Sequence, residues 1–221
     1  MSSIKRISTS LAALFFAFLL IGGSKAYAAD VRGLMNSQTL TPTYTGYQPC
    51  DQKAAEILAA ITTPEMDTYD KVAACYNYIV NNYAYDMNPQ AFQIPYDAYV
   101  NGNYGAFLAK TFFDRGVGVC DDYSCAFAAL VRQIGLNCYC CSGQVVSSNG
   151  NASGHTWCQM NLGGVILNFD PDLDDVLANG GKANTAGAGA NQFYYFGKTA
   201  EEDPGRYVFA GYYYPDFRPM Y

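Results

Sequence analysis

Apolar residues recur at intervals of three and four in the first half of the chain and alternate in much of the second, which predicts helices followed by strands. Over 51–61 the repeat is Ala54, Leu58 and Ile61, and Thr62, Thr63 and Pro64 end that helix. Asp67 or Thr68 can cap a second helix whose apolar positions are Tyr69, Val72, Tyr76, Ile79, Val80 and Tyr83. Residues 85–103 mix Pro, Asn, Gln and Tyr without a period and are expected to be loop. A short helix bearing Phe107, Leu108 and Phe112 follows. A longer one then places Tyr123, Phe127, Leu130, Val131 and Ile134 on one face and ends at Gly135.

Residues 137–146, 155–162 and 165–169 read as strands, with a polar loop at 147–154. Gly163 and Gly164 form a two-residue hairpin between the last two. Leu162 then faces Val165, and counting back puts Trp157 opposite Asp170 and His155 opposite Asp172. These four side chains share one sheet face because the strand period is two. His155 and Asp170 become diagonal neighbours, about 7–8 Å apart at the backbone. The Ala/Gly/Asn run at 178–191 has too few large apolar residues to hold a structure and reads as a flexible loop. The Tyr-rich stretch 207–221 reads as a final strand with an exposed end. The fold class expected is α+β.

Lys5 and Arg6 precede an apolar run over 11–21 and the small residues Ala26, Ala28 and Ala29, the three-part layout of a signal peptide cut near Ala28. The run falls short of the ~20 residues that span a bilayer, so a stable membrane anchor is not expected. The organisation expected is a signal peptide over 1–28, an N-terminal extension with one helix over 29–66, and one domain over 67–221. Removing the leader takes away Lys5, Arg6 and Lys25 and no acid, leaving 10 basic against 19 acidic side chains. That balance excludes a nucleic-acid partner, which needs a basic footprint.

Candidate chemistry centres on Cys120. Gly116 and Gly118 give the backbone freedom to turn sharply and deliver it to a helix start. Amides there favour a thiolate, whereas Asp121 and Asp122 oppose one, so a basic partner is needed. His155 is the only histidine among 221 residues and must be that partner. It takes the thiol proton, the thiolate attacks an acyl carbon, and Asp170 or Asp172 orients the ring. Trp157 and Tyr123 are further candidates for orienting groups or pocket walls.

Eight cysteines are present, and if Cys120 is a free nucleophile at least one other thiol is unpaired within the chain. Cys50 with Cys75 is the expected bridge. Cys125, Cys138, Cys140, Cys141 and Cys158 read as small buried apolar side chains. Cys120 and Cys125 loosely fit zinc-ligand spacing, but helix separates them and no second pair has it, so neither a metal nor another cofactor is expected.

Gly-Val-Cys-x-x-Tyr-Ser at 118–124, Gly-His-Thr-Trp at 154–157 and Asn-Phe-Asp-Pro at 168–171 together resemble the transglutaminase-like superfamily of papain-like thiol enzymes. The resemblance runs over about 67–196, including the helix closing in Tyr-Ala-Tyr-Asp and the stretch Tyr194, Tyr195, Phe196. It implies a papain-like core with the cysteine helix packed on an antiparallel sheet, and a Cys120, His155 and Asp170 triad in which Asp170 takes the Asp-Pro position. Asp121, Asp122 and Thr156 depart from the usual pattern. The expected function is a secreted, bacterial-type acyl transferase or hydrolase, acting as a peptidase, amidase or cross-linking enzyme. Its substrate is a protein or peptide, such as a cell-surface or cell-wall peptide. The competing reading is a catalytically inactive extracellular binding module on the same scaffold.

Overall fold

The computed structural model describes residues 30–87, 101–178, 193–203, 205–212 and 214–218. The expected leader, most of the 85–103 loop and nearly all of the 178–191 loop lie outside them. Among the described residues no helix is long and apolar enough to cross a membrane.

Among the described residues, five helices precede the main sheet: α1 (Val31–Asn36), α2 (Gln48–Ile61), α3 (Thr68–Asn82), α4 (Tyr104–Arg115) and α5 (Cys120–Ile134). Helix α3 starts where expected because Asp67 accepts a hydrogen bond from the Asp70 amide at 2.8 Å. Helix α2 begins three residues ahead of its apolar repeat, with Pro49 in its first turn, where a missing N–H costs nothing. The extension expected to hold one helix holds two. Asp30 caps α1, and Met35, Cys50, Ala54 and Ile57 join the same core as the rest.

Periodicity predicts one apolar face for α5, yet every residue from Asp122 to Arg132 is buried. The small side chains of Ala126, Ala128 and Ala129 let elements approach from several sides: α2, α3 and α4 pack on this helix, and so do two strands. The strands are β3 (Cys138–Val146), β4 (Ala152–Leu162), β5 (Val165–Phe169), β6 (Phe196–Lys198) and β7 (Tyr207–Tyr212). They form an antiparallel sheet in the order β6-β5-β4-β3-β7. The chain is thus an α+β fold with its central helix between other helices and a sheet.

The hairpin forms as expected, with Gly163 and Gly164 both at positive φ and Leu162 opposite Val165. The register holds as far as Cys158 opposite Phe169, and there the ladder stops. Asp170 leaves the sheet and opens helix α6 (Pro171–Ala178). The pairs Trp157 with Asp170 and His155 with Asp172 therefore do not form within the sheet. Strand β4 also starts at Ala152, three residues before its expected beginning, by pairing with the far end of β3.

Cys50 and Cys75 are free buried thiols in the core, not a bridge. A short parallel pair, β1 (Ala84–Tyr85) with β2 (Val117–Gly118), ties the end of α3 to the loop before Cys120. Its bonds run from the Ala84 amide to Gly116 O at 3.0 Å and from the Asp86 amide to Gly118 O at 2.7 Å.

Candidate active site

The start of α5 is fixed on both sides. Gly116 is left-handed at φ 73°, as a helix C-cap requires. Gly118 is needed for space instead: a Cβ there would lie 2.6 Å from Phe112 and from Asp122. Asp122 Oδ2 accepts from the Val119 amide at 2.8 Å and the Asp122 amide donates to Val119 O at 2.9 Å, which leaves Cys120 as the first helical residue, half-buried.

Helix α5 is then stitched to β4 beside His155. Ser124 Oγ donates to Thr156 O at 3.0 Å, and Cys158 Sγ donates to Ser124 O at 3.1 Å. Thr156 Oγ1 donates to Asp121 Oδ1, so two of the residues that depart from the family pattern are each other's partners. This joint sets Cys120 against the imidazole: one donor atom each from Cys120, His155 and Asp172 lie within 4.8 Å of one another.

Asp170 does two things with its two oxygens. Oδ1 caps α6 by accepting from the Leu173 amide at 3.1 Å. Oδ2 lies 2.7 Å from His155 Nε2 and accepts from the Tyr207 hydroxyl at 3.0 Å. Aspartate followed by proline and a further Asp is a helix-start signal, and it could have located α6 from the sequence. With Asp170 accepting at Nε2, the neutral ring carries its proton there and Nδ1 is left as the base.

Asp172 arrives from the first turn of α6 instead of from a strand. Its Oδ2 is 3.9 Å from His155 Nδ1, beyond hydrogen-bond reach, and its buried Oδ1 has no hydrogen-bond partner. Trp157 lies parallel to His155, with ring centroids 6.4 Å apart, and donates to Asn168 Oδ1 at 3.2 Å. It also packs on Tyr207, with ring centroids 4.8 Å apart. Tyr123 is fully buried against Phe112 and donates to Asp175 at 2.5 Å, so its hydroxyl is committed to the interior. From the sequence Tyr207 reads only as part of a final strand, and its contact with Asp170 has no local signature.

Burial raises the Cys120 thiol; His155 opposes that rise, while Asp121 and Asp172 add to it. Asp122, expected to act with Asp121, is instead pushed up to about 6 by burial, so its charge is reduced. Burial would lower the His155 imidazolium, but Asp170, Cys120 and Asp172 outweigh it and hold it well above its ordinary value. Asp172 is raised by burial, against the pull of His155.

Residues 55–171 match the model of the core of the transglutaminase-like superfamily, a stretch that contains Cys120, His155 and Asp170. No curated protein matches the chain. Solved structures similar to it include the following two. One, from Cytophaga hutchinsonii and provisionally described as a cysteine protease, is 17% identical over 83% of this chain and 52% of that one, with a TM-score of 0.42. The other, described as a TGase, is 18% identical over 62% of this chain and 35% of its own, with a TM-score of 0.40. The chain spans about half the length of the first.

Proposed function

The chain belongs to the transglutaminase-like superfamily, and from that premise we propose that it is an acyl-transferring thiol enzyme with Cys120 as nucleophile. The observation that carries this reading is the Cys120, His155 and Asp170 relay, in which the ring's far nitrogen is held 2.7 Å from a capped carboxylate. The thiol proton passes to His155 Nδ1 as sulfur attacks the acyl carbon. The amides of Cys120 and Asp121, at the open start of α5, are suited to the oxyanion. His155 then protonates the leaving amine, and the acyl group stays on sulfur as a thioester. Water or a second amine attacks next, gives its proton to His155 and frees the thiol. Asp170 keeps the ring oriented throughout and Tyr207 keeps Asp170 in place.

The substrate class proposed is a protein or peptide, of the kind found at a cell surface or in a cell wall. Export after cleavage near Ala28 is proposed from the leader-like residues 1–28. The test is competitive labelling of the folded protein with iodoacetamide, read by peptide mass spectrometry. Cys120 is expected to label ahead of the seven other thiols. Labelling of Cys120 no faster than that of buried Cys125 would sink the nucleophile assignment.

A further inference from the structure

Asp172 has no part in the relay just described, yet it is 3% exposed and one of its oxygens is unpartnered. An unpaired carboxylate so placed is costly unless something compensates it. We propose that Cys120, His155 and Asp172 form a reversible binding site for a zinc-class divalent cation. On the reading of Cys120 as the nucleophile, occupancy of this site switches the enzyme off.

The donor set is one sulfur, one imidazole nitrogen and one carboxylate oxygen, the three ligand types that zinc accepts. Zinc bonds of about 2.0–2.3 Å at tetrahedral angles put neighbouring donors roughly 3.3–3.8 Å apart. The three atoms here lie within 4.8 Å of one another, so small side-chain rotations close the site. Thiolate selects against calcium and magnesium, which prefer oxygen. Among the described residues no other group of His, Cys, Asp and Glu brings three donors this close, the buried cysteines of the core included.

The surroundings fit a metal as well as the donors do. A ligating histidine ordinarily gives its other ring N–H to a carboxylate, which fixes the ring and strengthens it as a ligand. His155 does this through Nε2 to Asp170, and Asp170 is held in turn by the Leu173 amide and the Tyr207 hydroxyl. Cys120 is only half-buried, which leaves a way in. Binding sends to solvent the protons held by the thiol, Nδ1 and Asp172, and engages both the sulfur and Nδ1. Nucleophile and base are then occupied together, and a chelator restores them.

The experiment uses the full chain and two probes. Cobalt(II), titrated into metal-free protein, is expected to give a thiolate-to-metal absorption band that zinc chloride displaces and Cys120→Ser lacks. Zinc is expected to slow iodoacetamide labelling of Cys120 at least tenfold, with recovery on adding EDTA. Asp172→Asn, checked for folding by circular dichroism, is expected to weaken cobalt binding by about tenfold or more. If that variant is unfolded, Asp172→Glu is titrated instead and must change the affinity or the band. No band and no protection in the wild type overturns the site, as does unchanged cobalt binding in the folded Asp172 variant. These failures differ from failure of the enzyme reading, in which metal-free Cys120 would not label ahead of Cys125 even though the cobalt band appears.

Discussion

The Tyr207 hydroxyl donates to Asp170 Oδ2 across 3.0 Å, on the same oxygen that meets His155 Nε2. A strand at the edge of the sheet therefore holds the carboxylate that holds the base. A hydrogen bond to a charged group contributes about 1.5–3 kcal/mol. Tyr207→Phe keeps the ring against Trp157 and loses only this bond, so Cys120 labelling at neutral pH should fall about tenfold or somewhat more. Asp170→Asn should cost more than Tyr207→Phe. Equal rates for Tyr207→Phe and wild type would show that the hydroxyl does not support the relay.

The labelling rate of Cys120 should climb as pH rises from 6 to 9. Burial holds its thiol up, so thiolate is scarce at the acid end and accumulates toward the alkaline end. His155 is the group that lowers the thiol, so His155→Ala leaves burial, Asp121 and Asp172 acting without it. The curve should then move to higher pH and the rate at pH 7 should fall by about a hundredfold or more, the scale of general-base assistance. Iodoacetamide kinetics across the pH range measure both, and an unmoved curve in the variant contradicts the role given to His155.

Stability should fall between about pH 4 and pH 7. Burial pushes Asp174 up to about 7 and Asp122 up to about 6, even though each accepts hydrogen bonds. The folded state thus binds protons that the unfolded state has released at these pH values. The contribution is fully present below the ordinary aspartate range and is lost as pH rises through the folded values; the raised imidazolium of His155 acts in the same direction. Thermal unfolding should give a higher Tm at pH 5 than at pH 8, at about 2–4 °C for each kcal/mol in a chain of this size. Asp174→Asn keeps one acceptor oxygen for Tyr76 and the Tyr195 amide, loses the one that the Tyr194 amide uses, and should flatten the dependence. A Tm that rises from pH 5 to pH 8 contradicts this account.

Gly143 faces a bulge in which a Cβ would sit 2.0 Å from Val208 O, a backbone atom that cannot turn aside. Gly143→Ala should push β7 from the sheet, costing about 1–3 kcal/mol, the usual scale of overpacking. Because β7 carries Tyr207, slower Cys120 labelling should accompany the lower Tm. A drop in Tm with unchanged labelling would separate the strand from the site.

The sequence by itself determined helices α2 to α5, strands β3 to β5 and the hairpin register as far as Phe169. Helical and strand periods, an aspartate cap and a Gly-Gly turn are local preferences, legible over a few residues. It also singled out Cys120 as the candidate nucleophile, since a cysteine at a helix start and a single histidine leave few choices. What only the tertiary structure decided are contacts between residues far apart in sequence. Tyr207 behind Asp170, Thr156 satisfying Asp121, and α5 buried from several sides all arise when separate elements pack and close each other's polar groups. Asp172 combines both levels. Strand counting put it beside His155 on a ladder that ends at Phe169, and a helix capped by Asp170 returns it to the same ring from another direction, with one buried oxygen unpaired.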